Sequence, residues 1–346
     1  MTARLARDFG LVCGTLPTGP LNAITDVPGV LVGHLSMHAG DVLTGVTAIL
    51  PHSGNLFRTK ARAAVEVING FGKSTGLMQV AELGTVETPI LLTNTFAVGT
   101  CATALIRAAI AANPDIGRET GTVNPVVLEC NDGYLSNIRA RALTQDHAFA
   151  ALDSAATGPV AEGAVGAGTG MSAFGFKGGI GTASRRFTLD GVEHTLGLLA
   201  LANFGNAGDL VLPDGRRPVP PEAKPQAERG SVILVIATDV PLESRQLHRV
   251  ARRGGAGLAR LGAFWGNGSG DIAVAFTTAD SVDHDQPADL VPVRALNENR
   301  IDTLFRATAE ATQEAVLNAM VAAPATTGRD GHYRPSLGDW LRANAG

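Results

Sequence analysis

Aromatic side chains are scarce in this chain, at 5% of 346 residues, and charged ones make up only 17%. With a formal net charge of −4, it lacks the basic surplus that a nucleic-acid partner would call for. Cysteine is limited to Cys13, Cys101 and Cys130. They form no CxxC pair and no even set, so they are read as reduced thiols in a cytoplasmic protein rather than as a disulfide framework. The N-terminus carries Arg4 and Arg7 without a following long apolar region, so no secretory signal is expected. No run approaches 18 consecutive apolar residues, and no membrane span is expected. What the chain does have is glycine: 42 residues, the signature of tight turns and close backbone approach.

Apolar periodicity and turn chemistry divide the sequence into interleaved strands and helices. Residues 20–32 read as a loop entering a strand, followed by a hairpin through Ile49. Helices are predicted at 58–68, 75–83, 98–112 (closed by Asn113-Pro114), 139–151, 243–262 and 298–322. Strands are predicted at 89–93, 125–128, around 187–192, 194–202, 232–238 and 272–277. The low-complexity stretch from Leu212 to Arg229 holds five prolines and many charges, the composition of an exposed, cleavable linker. It divides the sequence without dividing the core, since apolar strands lie on both sides. The expected architecture is a single domain over 1–346, mixed α/β, with two central sheets or one large sheet covered by helices on both faces.

Several cofactor motifs fail on inspection. Gly70-Phe71-Gly72-Lys73-Ser74 resembles the end of a phosphate-binding loop, but Val67 stands where that motif needs glycine. Gly166, Gly168 and the residues after them miss the dinucleotide fingerprint at Met171, and the shifted match to Gly168, Gly170 and Ala173 leads into no helix start. His34 and His38 have an i, i+4 spacing, but Leu35 stands where a metalloprotease would carry glutamate. The remaining histidines are scattered. Neither metal nor nucleotide cofactor is expected.

Gly230-Ser231 is the most informative dipeptide. It lies between the linker and the unbroken apolar run Val232-Ile233-Leu234-Val235-Ile236-Ala237, so a loop delivers a glycine and a hydroxyl residue to the start of a buried strand. Cutting that bond would put a hydroxyl and a free α-amine on one residue. The amine titrates at roughly 7.7–8.0, where it can act as a built-in general base. On local sequence alone, a Gly-Ser turn into a strand is the commoner meaning.

Longer strings decide between them. Gly163-Ala164-Val165-Gly166-Ala167-Gly168-Thr169-Gly170-Met171 precedes Lys177-Gly178-Gly179-Ile180-Gly181-Thr182. Then come Leu201-Ala202-Asn203-Phe204-Gly205, Gly230-Ser231-Val232-Ile233, Gly266-Asn267-Gly268-Ser269-Gly270-Asp271 and Thr327-Gly328-Arg329-Asp330-Gly331. Earlier, Asp26-Val27-Pro28-Gly29-Val30 and Leu92-Thr93-Asn94-Thr95 fit too. In this order, over almost the full length, the chain resembles the L-aminopeptidase/D-esterase family, which includes the β-peptidyl aminopeptidases.

The resemblance implies a self-processing hydrolase with a four-layer αββα sandwich, like the N-terminal-nucleophile hydrolases but differently connected. It implies a cut at Gly230–Ser231, giving subunits 1–230 and 231–346, and a homo-oligomer of cleaved protomers. Ser231 would be the nucleophile, and Ser269 with Asp271 would orient its amine. Asn203 would supply an oxyanion donor, and Glu129 would anchor the substrate's free amine. Lys177 would help to position the site. Asn131 departs from the family, whose members can carry an aromatic there; Tyr134, three residues on, is the nearest aromatic that could substitute. Substrates would be short peptides, amides or esters. An ornithine-acetyltransferase-like acyltransferase shares the fold but uses threonine as nucleophile, and a non-catalytic binding protein would be expected to lose Ser231, Asn203 or the Ser269/Asp271 pair.

Overall fold

The computed structural model describes residues 4–221 and 230–344. In chain order its strands and helices are β1 (Leu31–Ala39), β2 (Val42–Leu50), β3 (Thr59–Gly70), α1 (Leu77–Leu83), β4 (Thr85–Val86), β5 (Ile90–Asn94), α2 (Val98–Ala112), β6 (Val126–Cys130) and α3 (Gln145–Asp153). They continue with β7 (Ser172–Ala173), β8 (Phe176–Lys177), β9 (Gly179–Leu189), β10 (Val192–Asn203), β11 (Ser231–Thr238), α4 (Ser244–Arg252), α5 (Gly254–Arg260), β12 (Gly270–Asp283), α6 (Asp302–Val321), β13 (Thr326–Thr327), β14 (Tyr333–Arg334) and α7 (Leu337–Ala343).

Two sheets stack face to face. One has the order β1-β2-β5-β6, the other β4-β3-β12-β11-β10-β9. Alternation along the strands explains why both faces of the larger sheet are apolar. In β11, Ile233, Val235 and Ala237 enter the layer between the sheets, where they meet Ile90, Leu92, Val126 and Leu128 of the smaller sheet. Val232, Leu234 and Ile236 point the other way, onto Leu247, Leu258, Ala311 and Ala315 of α4, α5 and α6. On the outer face of the smaller sheet, Val46, Ala48, Leu91 and Val127 are covered by Cys101, Ala104 and Leu105 of α2 and Ala148 and Ala151 of α3. The result is the four-layer αββα sandwich that the resemblance implied.

The apolar stretch Thr95–Ala112 passes for a spanning segment by composition. Its 15 residues of α-helix span only about 22 Å, and its buried face lies on the sheet.

Three predicted helices are corrected. Residues 58–68 form most of strand β3, with Ala61, Ala63 and Val65 facing the inter-sheet core. Alanine suggests helix, but pairing with β12 on one side and β4 on the other overrides that preference. The helix expected over 139–151 begins only at Gln145, because Arg141 adopts a left-handed conformation (φ 47°). The helix expected over 243–262 is two, α4 and α5, divided at Arg253. The strand expected around 187–192 runs instead through a hairpin turn at Asp190-Gly191, both with positive φ. Of the linker, Leu212, Pro218 and Pro220 are buried, and 222–229 lie outside the described residues.

A buried charge cluster ties the N-terminal segment to the sheet. Arg185 of β9 is fully buried and meets Glu314 (2.7 Å) and Glu310 (3.3 Å) of α6. Arg7 adds a second contact to Glu314 at 2.6 Å. Removing one member would strand a buried charge.

Packing of α6 on β9 leaves no room at Gly181. A methyl there would lie 1.9 Å from the Ala315 carbonyl oxygen and 2.4 Å from the Ala319 nitrogen. Both are helix backbone and cannot swing aside. Gly181→Ala is expected to cost about 3 kcal/mol or more, read as a lower urea midpoint.

Candidate active site

The register of the larger sheet assembles the site. β11 pairs antiparallel with β10 and parallel with β12, which sets Asn203 opposite Ser231 and Ser231 opposite Gly270. Directly opposed residues project to the same face with Cβ atoms about 5 Å apart, so the Asn203 amide sits beside the Ser231 hydroxyl. Both are buried.

The Ser231 hydroxyl donates to the Gly230 carbonyl oxygen at 2.7 Å. The Gly270 N–H approaches both that oxygen and Ser231 Oγ, each at 3.3 Å. The carbonyl that Ser231 would attack therefore already faces a backbone donor. Glycine is required at 230 for space rather than for an unusual φ, because a Cβ there would lie 2.3 Å from the Asn203 carbonyl oxygen.

Ser269 and Asp271 flank Gly270, and the Ser269 hydroxyl donates to Asp271 Oδ1 at 2.7 Å. Both are buried. Asn69 holds the preceding turn, its amide donating to the carbonyls of Gly266 (2.8 Å) and Ser269 (2.7 Å).

The Asn203 amide is fixed at both ends. Its Oδ1 accepts from the Ser172 N–H at 2.9 Å, and its Nδ2 donates to the Asn131 carbonyl at 3.0 Å. Because a backbone N–H can only donate, the amide orientation is unambiguous. Among the described residues, one Nδ2 hydrogen is left for a further acceptor.

Glu129, the penultimate residue of β6, is buried, with its carboxylate accepting from the Lys73 N–H at 2.8 Å and from the Thr95 hydroxyl. It adjoins the start of β12, the strand paired with β11, through Gly72, where a Cβ would lie 3.8 Å from Glu129 Oε1 and 3.9 Å from the Gly270 Cα. Asn131 is exposed, and its side chain accepts from Gly133 N–H within its own turn. The Tyr134 ring stacks on His332 at 4.7 Å. Lys177 is fully buried, its ammonium donating to the Gly168 (2.9 Å) and Gly178 (2.8 Å) carbonyls, so it ties the glycine-rich segment together. Burial pushes Lys177 down to about 7. Burial raises Asp132, also to about 7, with Thr44 and Asn94 pulling the other way.

Cys130 lies under the site, its thiol 3.3 Å from the Ser231 carbonyl oxygen. Burial, then the Glu129 charge, hold its pKa well above the usual thiol value, so it is no rival nucleophile.

Sequence reasoning missed the Gly270 N–H, Ser172, Thr95 and Asn69. Thr95 lay within a quoted motif, but its carboxylate partner is 34 residues away.

Comparison with known proteins now decides the family. The model of Peptidase family S58 matches residues 22–334. The chain belongs to this family. It is 39% identical to the β-peptidyl aminopeptidase BapA of Sphingosinicella microcystinivorans, over 94% of this chain and 88% of that protein. The solved L-aminopeptidase D-Ala-esterase/amidase of Ochrobactrum anthropi is 36% identical, with a TM-score of 0.90 over 99% of this chain and 97% of that one. A β-aminopeptidase from a Burkholderia species is 39% identical with a TM-score of 0.89, over 99% and 98% of the two chains. The fold is a variant of the N-terminal-nucleophile hydrolase fold, and the protein is a serine aminopeptidase of this family, a hydrolase. That places it with the peptidases rather than with the acyltransferases the sequence also allowed.

The buried lysine gives a prediction whose sign can be worked out. Between pH 7 and 10.5 the unfolded chain holds the Lys177 proton that the native state has released, so stability rises with pH across that window. Lys177→Met removes this rise and leaves two buried carbonyls without their donor. Urea denaturation of both proteins at pH 7 and pH 10 should show wild type gaining on the variant as pH rises.

Proposed function

We propose that this protein is a self-cleaving aminopeptidase/amidase whose nucleophile is Ser231, freed as an N-terminus by scission of the Gly230–Ser231 bond. The observation that carries the reading is the contact of the Ser231 hydroxyl with the Gly230 carbonyl, under the Gly270 N–H. In the uncut chain Ser231 Oγ attacks the Gly230 carbonyl carbon, and the Gly270 N–H supports the developing oxyanion. Collapse breaks the C–N bond, leaving Gly230 esterified to Oγ and the Ser231 nitrogen as an amine. Water hydrolyses the ester, giving the Gly230 carboxylate and a free Ser231. The products are residues 1–230 and 231–346.

The free α-amine then takes the Oγ proton as Ser231 attacks a substrate carbonyl and passes it to the departing amine, leaving an acyl-enzyme ester on Oγ that water hydrolyses to release the acid and restore the hydroxyl. Ser269 and Asp271, bonded to each other beside Ser231, orient that amine and favour its protonated form. The spare Asn203 N–H and the Gly270 N–H serve the substrate oxyanion. Glu129 receives the substrate's ammonium group, which selects chain ends over internal bonds. The substrates are short peptides, amides or esters with a free amine.

Intact mass under denaturing conditions tests the cleavage. Wild type is expected as two fragments meeting at Gly230/Ser231, and Ser231→Ala as one full-length chain. A single uncut, inactive wild-type chain would sink the mechanism. Asn203→Ala, assayed after confirming cleavage, is expected to lower kcat by about 10²- to 10³-fold.

A further inference from the structure

We propose that Arg334, together with Ser172, forms a carboxylate-binding subsite on the leaving-group side of Ser231, selecting short peptides with a free C-terminal carboxylate. The inference rests on the aminopeptidase reading above.

Arg334 is half-buried, and its Nε is a buried donor with no hydrogen-bond partner among the described residues. No carboxylate there pairs with it, whereas Arg7, Arg58 and Arg185 each meet one. Its guanidinium instead lies 3.6 Å over the centre of the Tyr134 ring. Burial lowers its pKa from the ordinary guanidinium value, yet the group stays charged at neutral pH. A desolvated cation with five donors in a planar fork is suited to a carboxylate held bidentately.

Its position follows from what it touches. Tyr134 belongs to the loop that opens at Asn131, whose carbonyl accepts from the Asn203 amide. On the other side, Pro335, next in sequence to Arg334, accepts from the Lys177 N–H at 2.8 Å. Lys177 pairs with Ser172, whose N–H holds the other end of the Asn203 amide. Arg334 is thus attached to both segments that hold the amide beside Ser231. Ser172 adds a buried hydroxyl without a partner among the described residues. An extended peptide advances about 3.3–3.6 Å per residue, so the length of the leaving group decides whether its terminal carboxylate reaches Arg334.

The test uses the cleaved wild-type enzyme with di-, tri- and tetrapeptides of one N-terminal residue, each as free acid and as C-terminal amide, beside an aminoacyl p-nitroanilide. At one length the acid is expected to be favoured about tenfold or more in kcat/KM, mainly through KM. Arg334→Gln should lower kcat/KM for that acid about tenfold more than for its amide, and Arg334→Lys should recover part of the loss. Equal rates for acids and amides at every length would overturn the proposal. So would a loss in Arg334→Gln shared equally by acid, amide and anilide, which would mark a structural role. A wild-type enzyme inactive even on the anilide would instead overturn the aminopeptidase reading itself, and the subsite with it.

Discussion

Pairing of β11 on both of its edges is the constraint on which the site depends. Ser231 is the first residue of its strand, a position where chains ordinarily fray, yet it is already opposed by Asn203 on one side and Gly270 on the other. Slippage by one residue would turn Ile233 and Val235 out of the inter-sheet layer and Ser231 with them. The same apolar alternation that buries the strand therefore aims its first side chain. Hydrophobic packing, a non-directional force, is converted by the pleat into the placement of a hydroxyl.

Around that hydroxyl the sandwich buries an unusual amount of polarity. Asn203, Glu129, Lys177, Ser269 and Asp271 are all buried. Three are held from other segments, Ser172 and Asn131 on the amide, Lys73 N–H and Thr95 on the carboxylate and the Gly168 carbonyl on the ammonium, while Ser269 and Asp271 hold each other. Such groups are costly when left unmade and rigid when satisfied. This is a site organised before any ligand arrives, and the glycine-rich segment is the part of the chain that closes round it.

How much of this the sequence carried depends on the kind of feature. The run after Ser231 and the alanine-rich α2 were legible because one pattern dominated each. Strand β3 was not, since Thr59–Gly70 mixes alanines with β-branched residues and only its two partner strands settle the matter. The break between α4 and α5 was hidden for a related reason: helical periodicity continues through Arg253 although the backbone does not. In the site, Ser231, Asn203, Ser269 and Asp271 could be picked out as side chains within motifs. The Gly270 N–H could not, because every residue but proline carries one and only the register aims it. Glu129 was visible as an acid at a strand end, but its contact with Thr95 spans sheet neighbours that no local window includes.

The proposed division at residue 230 would leave the two parts interlocked. Residues 231–346 supply β11 and β12, the two central strands of the six-stranded sheet, and residues before 230 supply β10 and β3 on either side of them. The two parts also share the buried cluster in which Arg7 and Arg185 meet Glu310 and Glu314. Separating them would expose four strand edges' worth of backbone and leave buried charges without partners. A cut at Gly230–Ser231 therefore releases one amine without releasing the strand that bears it. The new N-terminus would stay in the register fixed by folding, beside Asn203 and Gly270, because chain connectivity was never what held it there.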